Sequence, residues 1–92
     1  MIEREGNLCR LGGDVTLDTV PGMLEKLRPL VRSGVDTLDC SGIGNVDSSA
    51  LGLILACKRE AIGQQKNLKL TDLPQSLHSL ASLYGVAEQL SS

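Results

Sequence analysis

Asp47-Ser48-Ser49-Ala50-Leu51-Gly52 stands where a run of small and polar residues stops and a strongly apolar run starts, and its reading decides the fold. Upstream, Val35-Asp36-Thr37-Leu38-Asp39-Cys40 alternates in character as a strand does, and Ser41-Gly42-Ile43-Gly44-Asn45 supplies turn residues. Strand, loop and helix therefore follow in order. Ser48 is expected to be the helix N-cap, its hydroxyl accepting a hydrogen bond from a free backbone N–H one turn in. That role places Ser48 at an exposed helix start.

The helix opening at Ser48 is expected to run to about Gln64. At 100° per residue its apolar positions from Leu53 round to Leu55 cover roughly 200° of its circumference, about twice what a surface helix needs. Either it is buried on two sides or its N-terminal turns form a partner surface, and Leu53 is the residue that separates the two. Further on, Asn67-Leu68-Lys69-Leu70 reads as a strand, and Asp72-Leu73-Pro74 opens a last main helix with an acid near its positive end. Leu73, Leu77, Leu80, Ala81 and Tyr84 fall on one stripe, and Gly85 is the expected stop. Leu83 lies about 60° off that stripe, either exposed or packed on Val86 and Leu90. Ser91-Ser92 reads as a frayed end.

On the N-terminal side, Ile2 to Arg4 and Leu8 to Leu11 are expected to form a hairpin around Glu5-Gly6-Asn7. Gly12-Gly13 then breaks the strand. Thr19 caps a helix with Pro21 in its first turn, where a missing N–H costs nothing. Met23, Leu24, Leu27, Leu30 and Val31 mark its buried face, and Arg32-Ser33-Gly34 ends it. Strand, helix and strand at this spacing suggest a βαβ crossover.

Ninety-two residues make one domain and leave no room for a second core. The core must be aliphatic, because the chain has one Tyr and neither Trp nor Phe. Nine basic and eleven acidic residues give a net charge of −2, and no basic stripe with interleaved aromatics is present, which disfavours nucleic acid as a partner. The longest apolar or glycine run, Ala50 to Cys57, falls far short of the roughly 20 residues that cross a bilayer. The charged start, Met1-Ile2-Glu3-Arg4-Glu5-Gly6, lacks the apolar segment of an export signal, so a cytoplasmic setting is expected. Cys9, Cys40 and Cys57 show no Cys-x-x-Cys pairing and read as reduced, buried thiols.

Three segments of the chain resemble the signature segments of STAS domains, the domains of anti-sigma-factor antagonists and sulfate-transporter tails. They are Leu11-Gly12-Gly13-Asp14-Val15 with Thr19, Leu38-Asp39-Cys40-Ser41, and Val46-Asp47-Ser48-Ser49-Ala50-Leu51-Gly52. Leu80-Ala81-Ser82-Leu83-Tyr84-Gly85-Val86 resembles more narrowly the MlaB-type STAS subunits of phospholipid ABC transporters, which bind a cytoplasmic ATPase. One position departs, since Ala50 stands where many antagonists have glycine. The resemblance implies a single α/β STAS domain over residues 1–92, with a mixed sheet of about four strands and helices packed against it.

The chemistry of enzymes is poorly represented. His78 is the one histidine, distant in sequence from Ser48, and no Gly-x-Ser-x-Gly elbow is present to position a nucleophile. The cysteines are too scattered for a metal site, and Gly42-Ile43-Gly44 lacks the lysine and spacing of a phosphate-binding loop. No catalytic residue, metal or cofactor is therefore expected, and binding is the expected activity. The expected partner-binding or phosphorylatable residues are Asp47, Ser48, Ser49, Ala50 and Leu53, with Asp39 supporting the loop by hydrogen-bonding its amides. A phosphate on Ser48 would meet the free N–H groups of a helix start and repel a closely docked partner. The resemblance implies an ABC transporter ATPase as that partner, with membrane association only indirect through the complex. The alternative partner is an anti-sigma kinase acting on Ser48.

Overall fold

The computed structural model describes residues 1–90. Its sheet has four strands among them, in the order β1 (Ile2–Glu5), β2 (Leu8–Val15), β3 (Thr37–Val46) and β4 (Lys69–Thr71). The first pair is antiparallel and the other two are parallel, so the sheet is mixed. Gly6 turns the β1–β2 hairpin at φ +62°, a conformation an L side chain rarely adopts. The helices are α1 (Val20–Arg32), α2 (Ser49–Ile62), α3 (Gln75–Leu83) and the short α4 (Ala87–Leu90). The expected α/β class and strand count are the ones observed. The expected fraying of Ser91-Ser92 lies outside the described residues.

The pleat sorts the strands into two faces. Cys9, Leu11, Leu38 and Cys40 are buried with Met23, Leu27, Val31, Leu51, Ile54 and Leu77 from the helices in one aliphatic core. On the other face, register places Glu3, Arg10, Asp39 and Thr71 in one row across all four strands. Arg10 pairs there with Glu5 and, at 3.6 Å, with Asp39. Parallel strands are usually covered on both sides; here charged and hydroxyl side chains keep the outer face compatible with water.

Several local expectations fail, each for a tertiary reason. Gly12-Gly13 does not break β2, and Ser41 to Asn45 is not a loop, because the two stretches pair as Gly12↔Gly42 and Gly13↔Ile43 with register shifts on either side. Glycine absorbs those bulges, Gly13 at φ +82°, and lets the strands approach. A Cβ on Gly42 would stand 2.9 Å from the Leu11 carbonyl oxygen. Asp72 does not open the last helix. It adopts φ +53°, and Pro74 pushes the residue before it out of the helical region, so α3 begins at Gln75 with Pro74 as an extended cap. Gly85 does stop α3, at φ +72°. Of the two places open to Leu83, the structure takes the exposed one, with 77% of its surface accessible. Tyr84, expected on the buried stripe, is also exposed.

Thr19 precedes α1 as expected, yet its hydroxyl does not cap the helix. It accepts from the Thr16 N–H at 3.0 Å and donates to the Asp14 carbonyl at 2.9 Å, which folds the β2–α1 loop back on itself. Cys9, Cys40 and Cys57 are free and buried; burial pushes the Cys40 and Cys57 thiols up to about 12. No helix among the described residues is long and apolar enough to cross a membrane.

Candidate functional site

The end of β3 delivers Asp47 to the mouth of α2, where its carboxylate joins two chain segments. One oxygen accepts from the Ser49 N–H at 2.9 Å and from the Ser49 hydroxyl, while the other accepts from the Leu17 N–H at 2.9 Å. These bonds, the Ser49 hydroxyl foremost and the Leu17 amide next, hold the Asp47 carboxyl below the usual carboxylate range. Nearby, Asp14 accepts from the Asn45 N–H at 2.9 Å. The β2–α1 loop and the β3–α2 junction are thus stitched together by one carboxylate from each. Gly44 is what allows it, since a Cβ there would lie 2.8 Å from the Asp14 oxygen.

Ser48 sits at the cap position with helical backbone angles, φ −63° and ψ −20°, and its side chain makes no cap hydrogen bond. The expectation that its hydroxyl caps α2 is therefore corrected. A capping side chain reaches the amides of the next turn from an extended backbone, and Ser48 is already wound into the helix, so Asp47, one residue earlier, does that work. The first amides are also taken. Ser49 bonds to the Asp47 carboxylate, Ala50 to the Asp47 carbonyl and Leu51 to the Ser48 carbonyl. A phosphate on Ser48 would meet the helix dipole without three free N–H groups waiting for it. What remains is an exposed hydroxyl on a held backbone.

The other expected site residues divide. Ser49 is half-buried and engaged with Asp47. Ala50 is fully buried and Leu53 is 1% exposed. Leu53 belongs to the core because α2 packs beside α1 and also touches α3 and α4, so the wide apolar arc is explained by burial on more than one side. Ala50 and Leu53 cannot touch a partner without unpacking the helix. Asp39 accepts from the Ser41 N–H at 3.0 Å, an amide within β3 and not in a loop as expected, and that bond, with Arg10 nearby, keeps its carboxyl low. It is not near Ser48, however. Eight positions of strand separate Asp39 from Asp47, about 20 Å or more at ~3.3 Å per residue.

The residue that sequence reasoning passed over is Leu17. It is 74% exposed, and its amide is the one Asp47 holds, so its backbone is tied to the start of α2. An apolar residue between Thr16 and Asp18 in a loop was the available signal, but its tie to α2 depends on a contact across 30 positions of sequence. Asp14 and Asp18 are exposed on the same side and make this end of the molecule acidic. Among the described residues no group of three or more His, Cys, Asp and Glu side chains is arranged to hold a metal. The ledge made by the β2–α1 loop and the start of α2 is suited to docking: a small exposed hydroxyl, one apolar anchor and fixed negative charge.

Comparison with known proteins extends this picture. A family model described as "Mlab, STAS domain" matches residues 2–91. Among solved structures, the anti-sigma factor antagonist SpoIIAA in its unphosphorylated form superposes with a TM-score of 0.74 at 19% identity, over 96% of this chain and 82% of the other. The Bacillus cell fate determinant SpoIIAA in the phosphorylated form gives 0.69, also at 19% identity, over 96% and 85%. A crystal structure of Mglu gives 0.59 at 24% identity, over 78% of this chain and 19% of that one. At these identities the likeness is one of fold. No curated protein matches the chain.

Proposed function

The chain belongs to the STAS family, and on that premise we propose that residues 1–92 are a non-catalytic, protein-binding STAS subunit of an Mla-type phospholipid ABC transport system. It docks on the cytoplasmic ATPase subunit and is held at the inner membrane only through that partner. The observation that carries the reading is the ledge itself. Asp47 ties Ser49 and Leu17 together and leaves Ser48 exposed between them, a preformed surface that loses little conformational freedom on binding. The "Mlab" description of the matching family supports an ATPase as its target, and STAS proteins generally act by binding other proteins.

A second reading rests on a different observation. The Ser48 side chain has no cap bond and faces solvent, as a phosphorylatable serine must. An anti-sigma-factor antagonist would use the same ledge to bind an anti-sigma kinase and be released by phosphate at Ser48, whose charge would stand beside Asp47.

Ser48→Asp separates fold from binding. The hydroxyl it removes makes no structural hydrogen bond, so the melting temperature should change little. Titrated with the candidate ATPase, the variant should bind at least fivefold more weakly, about 1 kcal/mol. Wild-type affinity with an intact melt would move the interface off this ledge. An ATPase that never binds the wild type, beside a kinase that binds it and phosphorylates Ser48, would install the second reading.

A further inference from the structure

At the far end of α2 from Ser48, a cavity of about 460 Å³ opens between the second half of that helix, the residues leading into β4, and α4. Its volume falls in the range of small-molecule sites, roughly 300–1,000 Å³. Leu55, Ile62, Leu68 and Val86 supply the apolar lining, and the polar side chains around it are Lys58, Arg59, Asn67, Glu88 and Gln89. Leu68 is buried, whereas Ile62 leaves 67% of its surface in water, so the hollow reaches the solvent over an apolar lip.

The two cations are the informative part. Neither side chain forms an ion pair among the described residues. Of the nearby carboxylates, Glu60 is committed to the Arg32 guanidinium at 3.1 Å, and Glu88 places one negative charge on the cavity wall. Lys58 is half-buried, and its removal from water pushes its pKa down. A cation drawn out of water is unfavourable unless counter-charge is close; Glu88 supplies one carboxylate beside two cations, and a bound anion would balance the other. Arg59 offers in addition a planar fork that matches carboxylate and phosphate oxygens. An apolar hollow bordered by two cations and one carboxylate, net positive on a chain whose net charge is −2, suits a ligand that is apolar at one end and anionic at the other.

We propose that this cavity binds a small amphiphilic anion, its alkyl tail on Leu55, Ile62, Leu68 and Val86 and its carboxylate or phosphate head on Lys58 and Arg59. The site is separate from the Ser48 ledge and does not depend on which partner that ledge takes.

The test is titration of the intact chain with decanoate and with decyl phosphate, each below its micelle concentration, followed by calorimetry and methyl NMR. Saturable shifts centred on the Leu55, Ile62, Leu68 and Val86 methyls are expected, the better of the two heads identifying the ligand source. Decanol should bind at least tenfold more weakly, inorganic phosphate should shift nothing, and Ser48→Asp should bind as wild type does. The double variant Lys58→Gln/Arg59→Gln should weaken binding tenfold or more, and Val86→Phe, which fills the hollow, should abolish it. Equal binding of decanol would reduce the site to an apolar hollow, and saturation by inorganic phosphate to a surface anion patch; either overturns the proposal. So would shifts spread to Leu17 and Leu83, absence of saturation, or binding to vesicles of anionic lipid with none to the monomeric amphiphiles. The wild-type shift map decides the matter even where a variant fails to fold.

Discussion

The two ends of α2 solve opposite problems. At its start the carboxylates that meet the helix are tied into the fold. Asp47 satisfies Ser49 and Leu17, Asp14 satisfies Asn45, and the Ser48 hydroxyl, Leu17 and Asp18 are left exposed. At its far end Lys58 and Arg59, neither in an ion pair among the described residues, border an apolar hollow that also has Glu88 on its wall. The first end is preorganised and internally closed, so a partner meets a finished surface. The second is electrostatically open, so its geometry is completed only by something that brings negative charge. The comparison separates a site whose residues hold one another from a site whose residues wait for a ligand, and exposure alone would not have told them apart.

The strongest way to break the comparison is to cut what connects the two ends. Leu53 lies in the core between them, and Leu53→Ala should cost about 2–5 kcal/mol, or a fall in melting temperature of roughly 10–30 °C for a domain of this size. A fall of only a few degrees would show that α2 is less deeply packed than its burial implies. Next in size is Asp47→Ala, which removes the carboxylate that joins the two loops. Its melting temperature should drop by about 4 to 8 °C, the scale of a lost helix cap, and the Leu17 amide should exchange faster with solvent. Undiminished protection of Leu17 would mean that the ledge is held by something other than Asp47.

Acid should loosen the contacts of both low carboxylates, Asp47 at the start of α2 and Asp39 up the strand from it. Asp47 and Asp39 sit below the usual carboxylate range in the folded chain, so each contributes stability that is present above the unfolded value of about 3.9 and lost as pH falls through the lower folded value. Denaturant midpoints should therefore hold steady from pH 7 to about 5 and decline below about 4. Asp47→Asn should flatten part of that decline; an identical acid slope in wild type and variant would remove Asp47 as a contributor. The smallest effect belongs to Ser48→Ala. A capping Ser48 would lose about 1 kcal/mol, but a hydroxyl with no cap bond behaves as an ordinary surface group, within about 0.5 kcal/mol. A drop as large as that of Asp47→Ala would restore Ser48 as the cap.

Much of the fold was legible in the chain. Period-2 alternation around Leu38 and Cys40, the Met23–Leu27–Val31 spacing of α1, and the Gly85 stop are local signals whose physics is complete within a few residues. The candidate site was legible in part, because Asp47-Ser48-Ser49 marks a helix start wherever it occurs. What misled was composition read without pairing. Gly12-Gly13 and Gly42-Ile43-Gly44 carry turn chemistry, yet each is the other's strand partner. Two glycine-rich stretches that would each be loops alone become bulged strands together, because their missing side chains let the backbones approach.

Sequence alone determined that the core is aliphatic and that α2 begins near Ser48. Those follow from residue identity and short-range periodicity. Only tertiary structure decided that Leu53 and Ala50 face inward, that Asp39 lies up the strand from Ser48, and that the Leu17 amide is held by Asp47. It also decided that Glu60 is taken by Arg32 and that Lys58, Arg59 and Glu88 meet around one apolar hollow. Each of these depends on which of two or more partners, distant in sequence, occupies the same space, and periodicity along one element cannot choose between them.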